Sequence, residues 1–252
     1  MPRQKSILKL RGTMDDITFY RTQDGHLARK AGGINKERIL NSPSFQRTRE
    51  NMNEFKSISS SARILRTALA DMVKKVKDPV LGRRLFRTLS QVKNLDATSP
   101  RGQRRVSVGL ATPEGQALLT GFDFNAKAAL AAVLQALFTA DPATGAVTIA
   151  DFDSGKQLAY PSGATHVSFT AALSVVDLTG GTYSTVQSDA VNVAIGSAPA
   201  AVTAQPATVP AGTGFMLSLL LIEFFQEVNG VQYPLKNGGF NVLSLLSIAP
   251  VV

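Results

Sequence analysis

The chain has 252 residues, of which 44% are hydrophobic and none is cysteine, and its formal net charge is +9. That length can bury a core without disulfides or metals, and the missing cysteines exclude disulfide frameworks, thiolate catalysis and cysteine-ligated zinc. Charge is unevenly placed: residues 1–105 hold 24 basic and 9 acidic side chains, whereas residues 106–252 hold 3 and 9. Two modules are therefore expected, a strongly basic one over 1–105 and a slightly acidic one over 106–252.

The first ten residues are basic but lack the apolar run and small-residue cleavage site of a secretory signal. The longest apolar stretch, 215–225, is far shorter than the roughly 20 residues of a membrane-spanning helix. A cytoplasmic chain with no membrane span is expected, compatible with release as an assembled particle.

Ile17-Thr18-Phe19-Tyr20-Arg21-Thr22-Gln23 and His26-Leu27-Ala28-Arg29 flank Asp24-Gly25, a pattern that predicts a β-hairpin with a type I′ turn. After Gly32-Gly33, Asn41-Ser42-Pro43 supplies a polar cap and an early proline, the start of a helical region of some fifty residues. Within it Phe45, Met52, Phe55, Ile58, Ala62, Leu65, Leu69, Met72 and Val76 recur at three- and four-residue steps as one apolar stripe, with a weakening expected at Ser59-Ser60-Ser61. Asp78-Pro79 restarts the pattern, and Val80, Leu81, Leu85, Phe86, Leu89 and Val92 form the stripe of a shorter helix. The two can pair as a helical hairpin.

Arg63, Arg66, Lys74, Lys75, Lys77, Arg83, Arg84, Arg87 and Lys93 lie largely off these stripes. A helix that is merely soluble mixes signs, because like charges three or four residues apart repel. The candidate partner-binding set, for assembly or for a polyanion, is therefore Arg47, Arg63, Arg66, Lys74, Lys75, Arg83, Arg84, Arg87, Arg101, Arg104 and Arg105. The last three sit in 98–105, which reads as the boundary loop or as an arm that orders on a partner.

Beyond the loop, 106–110 and 116–124 read as strands, and 126–138 is open between helix and strand. Val167, Phe169, Ala171, Leu173 and Val175 alternate with Ser168, Thr170 and Ser174, the pattern of a half-buried antiparallel strand. Val191, Val193 and Ile195 repeat it, as do Val147 and Ile149. The segment 197–212, with three prolines, reads as a long connector. Asn229-Gly230 and Asn237-Gly238-Gly239 separate three apolar segments near the end, a meander. About seven to nine strands are enough for two packed sheets. The expected fold is α+β: an N-terminal β-hairpin and helical hairpin followed by an antiparallel β-sandwich, immunoglobulin-like or jelly-roll-like.

Chemistry is sparse. His26 and His166 are the only histidines, too few for a histidine metal centre. Asp151-Phe152-Asp153-Ser154-Gly155 starts like a calcium loop but has Ser162 at the twelfth position. No phosphate-binding glycine motif and no G-x-S-x-G elbow occurs. The expectation is a protein that is not an enzyme and has no catalytic residue, cofactor or metal.

Lys9-Leu10-Arg11-Gly12-Thr13, the run 17–25, Phe45-Gln46-Arg47-Thr48-Arg49-Glu50-Asn51, the run 223–230 and Tyr233-Pro234-Leu235-Lys236-Asn237-Gly238 resemble an uncharacterised family of two-part bacterial proteins, with a basic N-terminal and a β-rich C-terminal module. The resemblance covers most of the chain and implies a bacterial origin and a fixed two-part architecture; it carries no assigned activity.

Opposite charges on the two ends of one subunit favour head-to-tail contacts, which propagate. The expected function is a structural, self-assembling homo-oligomeric subunit of a filament, tube or shell, with other copies of itself as partner. The alternative is a nucleic-acid-binding protein whose basic helices grip phosphates.

Overall fold

The computed structural model describes residues 3–5, 7–30, 34–235 and 239–251. Two compact units divide between Asn51 and Met52. The composition changes at Arg105 and the packing changes at Asn51, so the charge boundary is not a boundary of the core.

The first unit opens with a three-stranded antiparallel sheet, β1 (Gly12–Met14), β2 (Ile17–Thr22) and β3 (Gly25–Lys30), in the order β1-β2-β3. The expected hairpin is present in the register Thr22↔Gly25. Its positive φ falls on Gly25 (+112°) and not on Asp24, so the turn is not type I′. The outer edge of β3 takes a bridge from Arg3 to Leu27 and the bond Gln4 N–H to His26 O. The short helix α1 (Lys36–Asn41) and a 3₁₀ turn (Pro43–Phe45) follow.

Helix α2 (Gln46–Ala68) runs through Ser59-Ser60-Ser61 without a break; the interruption comes at Leu69, before α3 (Ala70–Val73). Ser61 is buried, and helical packing outweighs the modest propensity cost of three serines. Helix α4 (Leu81–Asn94) follows the Asp78 turn, in which Asp78 Oδ1 accepts from Val80 N–H at 2.8 Å. Ile58, Ala62, Leu65, Leu69 and Met72 face Leu81, Leu85, Leu89 and Val92 within one apolar cluster. Met52 and Phe55 of the expected stripe remain exposed, with Phe55 against Phe86.

The expected strands at 106–110 and 116–124 are instead helices α5 (Val106–Leu110) and α6 (Pro113–Leu119). Thr112 caps α6 by accepting from Gly115 N–H at 3.1 Å, and Pro113 and Glu114 occupy its first turn, a start signal that outweighs the β-branched residues around it. Three helices stack here at backbone contact. A Cβ on Gly109 would lie 2.0 Å from Val92 O, and one on Gly115 would lie 2.0 Å from Gly109 O. Residues 121–124 then bond along a strand edge, with Gly121 N–H to Leu245 O and Phe124 N–H to Leu243 O, both at 2.7 Å.

A short helix, α7 (Leu130–Val133), and an isolated bridge from Leu134 to Leu158 resolve the open segment 126–138. Strands β4 (Thr139–Ala140), β5 (Val147–Phe152), β6 (His166–Val176), β7 (Tyr183–Gln187), β8 (Val191–Ala194), β9 (Ala200–Ala204), β10 (Phe215–Val228), β11 (Val231–Pro234) and β12 (Val242–Pro250) complete the fold. A curled six-stranded antiparallel sheet centres on the β6–β10 pair, with β7 and β8 beside β6, and β11 and β12 beside β10. A second antiparallel sheet has the order β4-β5-β9. Strand β9 lies inside the expected connector 197–212; its buried Val202 and Ala204 alternate with exposed neighbours. Asn229 (φ +53°) and Gly230 (φ +76°) both take positive φ between β10 and β11, the conformation of a type I′ turn. Two of the three residues of the other expected turn, Asn237 and Gly238 of Asn237-Gly238-Gly239, lie outside the described residues.

The six-stranded sheet is buried on both faces. Ala172, Val176, Leu217, Leu219, Leu221, Leu243 and Leu245 pack with α2–α6. Val167, Phe169, Ala171, Leu220, Ile222 and Phe224 pack with Val147, Ile149 and Phe152 of β5 and Val202 of β9. Strand β6 is therefore not half-exposed: Ser168, Thr170 and Ser174 are buried under the helices. Ser174 Oγ meets Thr185 Oγ1 at 2.8 Å, and Thr185 donates to Ala68 O at 2.9 Å, which satisfies these hydroxyls without water.

Candidate functional site

The eleven cations selected from the sequence separate into three groups. The first group is paired with acids, Arg84 and Lys75 against buried carboxylates and Lys74 and Arg47 at the surface. Arg84 reaches Asp78 Oδ2 at 2.6 Å and Asp123 O at 2.5 Å and stacks 5.0 Å from the Phe122 ring centroid. Lys75 pairs at 2.8 Å with Glu223, a buried carboxylate on β10. Lys74 pairs with Asp71 at 3.1 Å, and in the first unit Arg47 lies 3.6 Å from Glu50. Lys93, read as a surface cation, is buried and sits 2.5 Å from Glu54.

A second group, Arg63, Arg66, Arg83 and Arg87, projects from α2 and α4 with exposed side chains, and Arg101 is exposed in the following loop. Among the described residues no ion pair involves Arg63, Arg83 or Arg87.

Arg104 and Arg105 form the third group, and the structure brings them together with Lys56, which sequence reasoning did not select. They line a groove of about 540 Å³ between α2, the loop 102–107 and the turn at Leu178-Thr179, with Ser57, Ser60 and Ser107 on its walls. The loop keeps most of its side chains exposed, but its backbone is anchored. Asp96, 1% exposed, accepts through Oδ1 from Thr98 N–H (3.1 Å), Thr98 hydroxyl (3.0 Å) and Ser99 N–H (2.9 Å), and through Oδ2 from Arg105 N–H (2.9 Å). Glu54 adds a second anchor by accepting from Gly102 N–H at 2.8 Å.

Burial works to raise the Asp96 pKa, but the Arg105, Ser99 and Thr98 donors outweigh it and hold the carboxyl well below the usual range. Burial likewise acts against ionised Glu54 and is outweighed by Lys93, the Gly102 amide and the nearby charge of Arg104, so its pKa is lowered. Asp78 is lowered in the same manner by Val80 N–H, Arg84 and Ala126 N–H acting against burial. All three are stable anions that fix backbone.

The first unit presents a different surface. Leu27 is the single buried apolar side chain among its described residues, whereas Ile7, Leu8, Leu10, Met14, Ile17, Ile34 and Leu40 are exposed. One edge of β1 is unpaired in its sheet.

Among the described residues no helix is long and apolar enough to cross a membrane. No family model matches the chain, and neither a curated protein nor a solved structure matches it.

Proposed function

We propose that the protein is a structural subunit that assembles with copies of itself, with the first unit as the contact element. The observation that carries this reading is that Leu27 is the single buried apolar side chain among the described residues of that unit. Burying one Leu side chain contributes about 2 kcal/mol, whereas each ordered residue costs about 1–2 kcal/mol of backbone entropy. A three-stranded sheet with one buried side chain is thus stabilised by a surface beyond its own. Exposed Met14 on β1 and its pairing partner Ile17 on β2 supply apolar area, and the open edge of β1 supplies unpaired backbone for strand addition.

Charge favours a second copy as that surface. Residues 1–51 carry 11 basic and 5 acidic side chains, while residues 106–252 carry 3 and 9, and a head-to-tail contact between them does not close on itself as a dimer does. In this reading the protein is not an enzyme, and the two β-sheets that share the second apolar cluster act as a sandwich-like body carrying the assembly.

A second reading, nucleic-acid binding, is favoured by the unpaired Arg63, Arg83 and Arg87. Electron microscopy and light scattering on nuclease-treated full-length protein separate the two. Multimers that survive nuclease support assembly. A monomer that retains nucleic acid before treatment supports the second reading and overturns the first.

A further inference from the structure

We propose that the groove between α2 and the loop 102–107 is an oxyanion site that takes the phosphoryl group of a small phosphorylated molecule. This inference is independent of the assembly reading.

Three observations converge there. Lys56, Arg104 and Arg105 line the groove and no carboxylate does. Three acids border the groove without lining it: Glu54 is committed to Lys93 at 2.5 Å and to the Gly102 amide at 2.8 Å, Asp96 to the loop backbone, and Asp177 to Thr179 N–H at 2.7 Å. Glu54 is thus shared between Lys93, the Gly102 amide and the nearby charge of Arg104, while no ion pair involves Lys56 or Arg105 among the described residues. Second, the Arg104 Nε is buried and has no hydrogen-bond partner. A buried guanidinium N–H without an acceptor is unfavourable, and the partly exposed remainder of the Arg104 side chain lines the groove, where a small rotation presents this donor to an incoming anion. Third, the hydroxyls of Ser57, Ser60 and Ser107 share the walls with the cations. Hydroxyl donors beside a forked guanidinium and an ammonium match the several acceptor oxygens of a phosphoryl group.

The geometry is set before a ligand arrives. Asp96 holds the Arg105 backbone at 2.9 Å and Glu54 holds Gly102, so both ends of the Gly102–Arg105 turn are fixed. Ser60 and Lys56 are one helical turn apart on α2, which places them on the same side of that helix. A volume of about 540 Å³ suits a small molecule. Prepaid ordering of this kind is what allows a site built from a few cations to bind tightly.

The test is isothermal titration of the full-length protein with pyrophosphate at constant ionic strength, using sodium sulfate and a short single-stranded oligodeoxynucleotide as comparison ligands. Pyrophosphate is expected to bind with a submillimolar Kd, about tenfold more weakly in Arg104→Gln, as loss of one charge-assisted bond requires. Lys56→Gln alters an exposed helix residue with no internal partner, so it keeps the fold and is expected to weaken binding severalfold, while Arg63→Gln leaves it unchanged. No heat of binding up to about 5 mM pyrophosphate, equal affinity in the Lys56→Gln protein, or binding of the oligonucleotide alone would each overturn the proposal.

Discussion

Replacing Asp96 by alanine removes the acceptor on which the loop 98–105 is built. Three backbone amides, those of Thr98, Ser99 and Arg105, and the Thr98 hydroxyl lose their partner at a residue 1% exposed. A hydrogen bond to a charged group contributes about 1.5–3 kcal/mol. Thr98 is exposed and recovers bonds with water, and the Ser99 and Arg105 bonds are only part-buried, so the loss sits at the low end for two such bonds, about 3–4 kcal/mol. In a unit of this size each kcal/mol lowers Tm by about 2–4 °C, which gives a fall of roughly 10 °C by calorimetry.

The effect has a defined pH window. The folded-state pKa of Asp96 is lowered, so its contribution is complete above the unfolded pKa of about 3.9 and is lost as pH falls toward the folded value. The gap between native protein and Asp96→Ala is therefore the same at pH 7 and pH 5 and narrows below about pH 4. A loss under about 1 kcal/mol, or a gap that widens on acidification, would refute the reasoning.

Two further substitutions probe the helical layer. Gly109→Ala gains about 1 kcal/mol of helix propensity in isolation, yet its Cβ would lie 2.0 Å from Val92 O. A net loss of about 2–3 kcal/mol in urea unfolding is expected, and a net gain would show that α4 and α5 are not in backbone contact. Lys93→Met leaves the Glu54 carboxylate buried and without its cation, a loss of about 3–5 kcal/mol. Adding Glu54→Gln recovers part of it, and strictly additive losses would contradict direct pairing.

The elements legible in the sequence were those whose signal is local. Asn229-Gly230 dictates its own turn, and the stripe from Ile58 to Val76 needs one face only. The covering of a strand is not local. Ser168, Thr170 and Ser174 read as a solvent face because nothing near them in sequence says that α2–α6 will fold over it, and the Ser174–Thr185–Ala68 bonds that make burial tolerable join three distant segments. At 106–119 the expected strands ignore Thr112-Pro113-Glu114, a helix start that is visible in the sequence.

For the site, charge patterning located Arg104 and Arg105 but left their loop open between a boundary loop and an arm that orders on a partner. Asp96-x-Thr98-Ser99 carries the spacing of a side-chain-capped turn. Glu54 precedes Ile58 by one helical turn on the buried face, which marks an acid in need of a partner. Lys56 was missed because one lysine on a helix carries no signal until the fold sets it beside the arginines.

The central claim concerns what covers the first unit. Sedimentation velocity of nuclease-treated full-length protein at physiological ionic strength, compared with Met14→Glu and Ile17→Lys, tests it most directly. The account predicts species larger than a monomer that grow with concentration and that both substitutions dissolve; a monomer at all concentrations, or assemblies indifferent to both substitutions, would contradict it.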